Sequence, residues 1–291
     1  MLLGFEDYRN QAKNLATALG EEYAEVSVHR FPDGESKVTL PAGLPEHVTC
    51  CRSLDRPNDK LIELLLAATA ARQLGARRVS LIAPYLCYMR QDIAFYPGEA
   101  ISQQIVGSFL AGLFDDVITV DPHLHRIHAL QEAIPLQNSL AVSAGPAMSR
   151  FLRARDNPLL LGPDSESLQW VETIARDCGL EFGVGSKTRS GDRQVTVELP
   201  DLAMTGREIV LVDDVVSSGE TVAIAASQCL QKGATRVNVL VTHALFAPGA
   251  QQRMREAGVA EIWSTDSISH ASNCISLAPL LAEAAQQLAA E

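Results

Sequence analysis

Two adjacent carboxylates followed by a cluster of hydroxyls form the most informative chemical pattern in the chain. From Glu208 to Thr221 an apolar run delivers Asp213 and Asp214, and Ser217, Ser218, Gly219, Glu220 and Thr221 follow. The run Ile209 to Val212 predicts a buried strand, and the residues from Glu220 onward predict a helix. Open α/β sheets bind ligands at the carboxyl ends of their strands. The first amides of a helix, with hydroxyls beside them, make an anion site. Carboxylates accept hydrogen bonds from sugar hydroxyls or hold a metal. Together these groups predict a ligand bearing both diols and phosphate, such as a pentose phosphate. The plain alternative is a helix capped by Ser217 or Ser218 beside two solvated acids. Taken alone, the segment fits both.

Further reactive residue types cluster at other predicted strand ends. In Arg30-Phe31-Pro32-Asp33-Gly34-Glu35, Phe31 offers a stacking face, and Asp33 and Glu35 can accept from an exocyclic amine. An ordinary Pro-Asp-Gly turn explains the middle of that motif equally well. After the apolar run Val79 to Ala83 comes Pro84 to Asp92, where Arg90 could grip a phosphate and Gln91 can both donate and accept. A surface arginine next to an acid is the alternative there. Asp121-Pro122-His123 follows the run Val117 to Val120, with His125 and His128 close by. A His-x-His metal site needs further His or Asp ligands that the sequence does not supply, so His125 and His128 read as structural. Asp164 follows the run Leu159 to Leu161. Gly185 to Arg193 is polar and rich in Gly and Ser, with Lys187 and Arg189 in it, which suits either a lid over charged substrates or an exposed basic hairpin.

The segment Asp213 to Thr221 resembles the ribose-phosphate loop shared by phosphoribosyltransferases and the ribose-phosphate pyrophosphokinase (phosphoribosyl-diphosphate synthase) family. The other segments are similar to that family's motifs in the same chain order, from about residue 30 to 221, with a likeness to its archaeal-type branch. The resemblance implies that Phe31, Asp33, Gly34 and Glu35 serve the adenine of a neighbouring subunit, and that Arg90, Gln91 and Asp92 contact ATP. It implies that His123 helps hold Mg²⁺-ATP, that Asp164 lies beside a second metal, and that Lys187 and Arg189 are the catalytic pair. Asp213 and Asp214, with Arg189, would bind ribose, and residues 217 to 221 its 5-phosphate. The activity so implied is transfer of the diphosphoryl group of ATP to ribose 5-phosphate, with Mg²⁺ as cofactor, in a homodimer or higher homo-oligomer. A type I phosphoribosyltransferase would need only the second half, and a non-catalytic relative usually lacks the loop lysine. The chain departs from the family in three places. Ile93 to Gly98 lacks a basic run, Asp164 is not followed by glycines, and Ser217 and Glu220 replace an acid and a small residue.

These residues need elements to position them. Apolar runs at 79–83, 117–120, 159–161, 209–212, 237–242 and 262–265 predict strands covered on both faces. Helices are predicted at 58–74, 100–113, 140–151, 166–178, 220–232 and 279–290, with Gly75 and Gly233 as stops. Such alternation means an α/β fold with parallel sheets. Leu74 to Val79 echoes Lys232 to Val237, and Val117 to Asp121 echoes Glu261 to Asp266. The expected architecture is therefore two similar phosphoribosyltransferase-like domains, each a mainly parallel sheet flanked by helices. They span 1–140 and 141–291, with the last helix a candidate to pack back on the first.

The 291 residues are 47% hydrophobic, which excludes wholesale disorder. A net charge of −11 argues against nucleic acid as a partner. The expectation is a cytoplasmic protein: the N-terminus reaches Glu6 and Asp7 before any signal-like apolar core, and no run is long enough to span a membrane. The six cysteines include no Cys-x-x-Cys pair and read as reduced and mostly buried.

Overall fold

The computed structural model describes residues 1–124, 126–127, 129–190 and 194–290. The chain forms two compact units, one of residues 1–143, 267–269 and 277–291, the other of residues 144–266 and 270–276.

In the first unit β1 (Leu2–Phe5) leads through a 3-10 turn to α1 (Arg9–Leu19), which Gly20 ends in the left-handed conformation. β2 (Tyr23–Arg30) and β3 (Ser36–Thr39) make an antiparallel hairpin. Next come β4 (His47–Cys51), α2 (Pro57–Gln73), β5 (Arg78–Ala83), α3 (Ser102–Ala111), β6 (Asp116–Val120), the short α4 (Leu130–Ala133) and β7 (Ser139–Val142). The strands lie in the order β3-β2-β1-β4-β5-β6-β7, parallel throughout except for β3. β5 and β6 are buried almost end to end, which their unbroken Val, Ile and Leu content requires of strands covered on both faces.

The second unit runs α5 (Gly145–Leu152), β8 (Leu159–Gly162), α6 (Leu168–Cys178), β9 (Phe182–Val184), β10 (Ser186–Ser190), β11 (Gln194–Glu198), β12 (Glu208–Val215), α7 (Glu220–Gln231), β13 (Arg236–His243), α8 (Ala250–Glu256), β14 (Val259–Thr265) and β15 (Asn273–Ile275). Its parallel sheet has the order β15-β14-β13-β12-β8-β9, and β10 and β11 form a separate antiparallel ribbon. Leu159, Leu161, Ile209, Leu211, Val237, Val239 and Val241 fill its core. The last helix, α9 (Ala278–Ala290), belongs to the first unit, where it packs on α1 and the Leu288 carbonyl accepts from Arg78.

One predicted helix needs correction. Residues 140–151 divide into β7, which extends the sheet beside β6, and α5, whose start is set by Pro146 in its first turn. Leu140 to Val142 pair with Ile118 to Val120, so their backbone groups serve the sheet and not a helix. Residues 185–193, read as a loop or a hairpin, include strand β10, with Lys187 opposite Val197 and Arg189 opposite Val195. The tip at 191–193 lies outside the described residues, as do His125 and His128.

Candidate functional site

In the second unit the strand order reverses between β8 and β12, which are adjacent, with β9 on one flank and β13 on the other. Ligands bind outside the strand ends at such a switch point. The two strands deliver Asp164 and the pair Asp213–Asp214 there. Asp164 and Asp214 are buried, at 8% and 3% exposure, and Asp213 is half-buried. Asp213 Oδ1 accepts from the Asp214 amide (3.0 Å), and Asp214 Oδ1 from the Val215 amide (2.7 Å). Burial, then the neighbouring Asp214 and Asp164 carboxylates, push the Asp213 carboxyl well above the usual carboxylate range. Three acids at one switch point are costly unless a sugar hydroxyl or a cation faces them.

The turn after β12 explains its own sequence. Gly219 caps α7 at φ 71°, and a Cβ there would lie 3.1 Å from the Ala250 carbonyl oxygen and 3.3 Å from Met254 Cγ. Glycine alone has both the conformation and the clearance. It brings no side-chain cap, so the first amides of α7 look to whatever stands before them. α8 holds the turn from outside. Arg253 donates to the Ser218 carbonyl, and the Ala247 amide to the Ser217 carbonyl (2.9 Å). With those carbonyls tied back, Ser217 and Thr221 remain half-buried and Ser218 and Glu220 exposed. The Ser218 hydroxyl accepts from the Glu220 amide at a long 3.4 Å. After Asp164, where the sequence departs from the family in having no glycines, Ser165–Ser167 form a 3-10 turn. Ser167 Oγ donates to the Asp164 carbonyl (2.6 Å), and Asp164 Oδ1 accepts from the Glu166 amide (3.1 Å).

In the first unit, Phe31 to Glu35 close the β2–β3 hairpin at the sheet edge. The Phe31 amide donates to the Glu35 carbonyl (2.8 Å), and Asp33 Oδ1 accepts from the Glu35 amide (3.2 Å). Gly34 sits at φ 94°. The Phe31 ring is 41% exposed and meets His29 edge-on. Past β5, Arg90 is exposed, and Gln91 accepts from Ser102 Oγ (2.6 Å), leaving its NH₂ to donate. Asp92 is buried, ion-paired to Arg126 (2.5 Å), and its second oxygen lacks a hydrogen bond. His123 is half-buried beyond β6, whose end turns through Asp121 at φ 37°.

Metal binding by the protein alone finds no support: among the described residues no group of three or more His, Cys, Asp or Glu is arranged to hold a cation. His123 belongs to the first unit and Asp164 to the second. Isolated carboxylates of this kind suit a cation such as Mg²⁺, which takes one or two carboxylates and leaves its other positions to water and phosphate.

Sequence reasoning missed the tie from Arg253 and an ion cluster in which the buried Arg52, Lys60 and Glu63 meet the exposed Asp7. Only Glu63 gave a signal, as a charge inside the apolar run Leu61 to Ala71.

The doubled parallel sheets, with a hydroxyl-rich cradle after paired aspartates, define the phosphoribosyltransferase class of α/β proteins. Residues 136–278 match the phosphoribosyl transferase domain, and residues 1–113 match the N-terminal domain of ribose phosphate pyrophosphokinase. The ribose-phosphate pyrophosphokinase of Methanopyrus kandleri is 34% identical, over 95% of each chain. That of Halobacterium salinarum is 32% identical, over 98% of this chain and 100% of its own. The chain belongs to the ribose-phosphate pyrophosphokinase family. A crystal structure of phosphoribosylpyrophosphate synthetase from Mycobacterium smegmatis shares its fold, with a TM-score of 0.83 at 24% identity, covering 100% of this chain and 98% of the other.

Proposed function

We propose that this chain transfers the β,γ-diphosphoryl group of ATP to the anomeric hydroxyl of ribose 5-phosphate, giving phosphoribosyl diphosphate and AMP. The carrying observation is the meeting of Asp164, Asp213 and Asp214 beside the Ser217–Thr221 cradle at one switch point. The carboxylates accept from ribose hydroxyls while the amides and hydroxyls at the start of α7 take the 5-phosphate. The anomeric oxygen bonds to the β-phosphorus, its proton passes to solvent, and the bond from the β-phosphorus to the α,β-bridging oxygen breaks to release AMP. All partners are anionic, so alignment and charge neutralisation carry the rate.

Phe31, Asp33, Gly34 and Glu35 form the adenine platform. Arg90, Gln91 and Asp92, the last paired with Arg126, contact ATP, and Lys187 and Arg189 meet the charge that grows on transfer. His123 would help hold Mg²⁺-ATP and Asp164 would lie beside a second metal; such ions, when bound, would supply charge neutralisation on the polyphosphate. The hairpin of the first unit supports a synthase over a phosphoribosyltransferase, which has no use for ATP. Lys187 supports an active enzyme over a regulatory relative.

The test incubates the protein with Mg²⁺, ATP and ribose 5-phosphate and measures AMP. Formation should be rapid, and Lys187→Ala should lower it roughly 10²–10³-fold. Equal AMP from both proteins would defeat the assignment. Formation of AMP and phosphoribosyl diphosphate together separates this reading from a transferase.

A further inference from the structure

Glu63 is a charge where a helix core allows none without partners. It sits on α2 between Leu61 and Leu64, and its side chain is 0% exposed. A buried carboxylate persists only when paired and hydrogen-bonded. Here the partners have a specific arrangement. Oε1 accepts from Arg30 Nη2 (3.2 Å) and from Ser36 Oγ (3.1 Å). Arg30 is the last residue of β2 and Ser36 the first of β3. One carboxylate oxygen thus holds both stems of the hairpin at the base of the Phe31–Glu35 turn.

Behind it lies a connected set of ion pairs. Glu63 Oε2 forms a close ion pair with Arg52 Nη2 (2.7 Å), and Arg52 is almost wholly buried. Arg52 Nε reaches Asp7 (3.0 Å), and its guanidinium lies 4.3 Å over the Phe5 ring. Lys60 ties Asp7 to Asp55, at 2.8 Å each. Arg30 has a second hold on α2 through Asp59 (2.9 Å). The chain of contacts therefore runs from the ends of β1 and β4, through Glu63, to the two stems of an edge hairpin. An edge hairpin with a five-residue turn (31–35) would otherwise be free to twist about its strands.

We propose that Glu63 is a positioning residue for the nucleotide: by gripping Arg30 and Ser36 together it fixes the direction in which Phe31, Asp33 and Glu35 are presented. This rests on the reading of the Phe31–Glu35 turn as the adenine platform. Apolar packing would stabilise the helix as well as a buried ion cluster does, but it would not set a direction. Hydrogen bonds from two separate stems to one oxygen do.

The test works from the hairpin side, where Glu63 keeps its pair with Arg52 and the fold is spared. The full-length protein is assayed as wild type, Ser36→Ala, Arg30→Met/Ser36→Ala, Ser36→Thr and Phe31→Ala, with KM for each substrate, kcat and Tm. The double variant should raise KM for ATP about tenfold and leave KM for ribose 5-phosphate and kcat within about twofold. Ser36→Thr, which keeps the hydroxyl, should behave as wild type. Two results overturn the proposal while the platform reading stands. Either Phe31→Ala raises KM for ATP and the double variant does not, or the double variant raises both KM values alike as Tm falls. If Phe31→Ala leaves KM for ATP unchanged, the platform reading fails and the proposal goes with it.

Discussion

At the scale of single residues, Asp213 shows how a binding site stores unfavourable energy. Burial and the carboxylates of Asp214 and Asp164 raise its proton affinity in the folded protein. A carboxyl whose folded value lies above its unfolded one adds stability at pH below the unfolded value, and that stability is lost as pH rises through the folded one. At neutral pH, without metal or substrate, the group is therefore a burden on the fold. Asp213→Asn keeps the oxygen that accepts from the Asp214 amide and removes the charge. In metal-free buffer it should raise Tm, with the gain growing as pH rises above about 4, the value of an unfolded carboxyl. The same variant should lower kcat/KM for ribose 5-phosphate about 10- to 100-fold, the worth of a charged hydrogen bond. Parallel melting curves and kinetics check both signs, and a variant that melts lower across the range would contradict the account.

At the scale of elements, the two units repeat one plan. Asp7 and Asp164 each stand two residues past a strand, β1 or β8, and each is followed within a turn by a helix. β4 and β12 each end beside that strand, and the helices after them both begin at a left-handed cap, Arg56 at φ 49° and Gly219 at φ 71°. The second unit leaves this corner open as a cradle. In the first, Arg52, Lys60 and Glu63 fill it. The two sequence echoes fall at matching places, α2 into β5 with α7 into β13, and β6 with β14; in the first, Gly75 and Gly233 stand at the helix-to-strand turns with positive φ. The strands buried on both faces were legible for the same kind of reason: continuous Val, Ile and Leu leave one solution. β2 and the edge strands β3 and β15 mix exposed and polar residues and gave no such signal, and β7 was absorbed into a helix since four residues show no period. The acids and hydroxyls of the cradle were legible because reactive types stood at a strand end, whereas the tie from Arg253 comes 35 residues away and leaves no local trace. The cradle also predicts its own fragility. Gly219→Ala would force a left-handed alanine against the Ala250 carbonyl, at a cost of roughly 1–2 kcal/mol for the backbone alone. Tm should fall by about 2–8 °C and KM for ribose 5-phosphate should rise, with KM for ATP little changed.

At the scale of the whole molecule, the proposed role of the β2–β3 hairpin raises the question of which chain it serves. It closes at the outer strand of the first unit's sheet, Phe31 stands 41% exposed, and the Glu63 clamp fixes it from behind. A ring so held suits a site on an adjacent copy, as the family resemblance implies, and this has a consequence that kinetics on a single variant cannot mimic. Phe31→Ala would damage the site of the neighbour, and Lys187→Ala would damage its own. Each variant alone carries only defective sites. In a mixed dimer, the subunit with intact Lys187 receives an intact Phe31 from its partner, so one site of the two is whole. After dissociation, mixing in equal amounts and reassociation, half the dimers are mixed, and activity at limiting ATP should return to about a quarter of wild type. If each ring serves its own chain, the mixture gives only the mean of the two variants. AMP release before and after subunit exchange distinguishes the two, and the absence of any gain would return the hairpin to its own subunit.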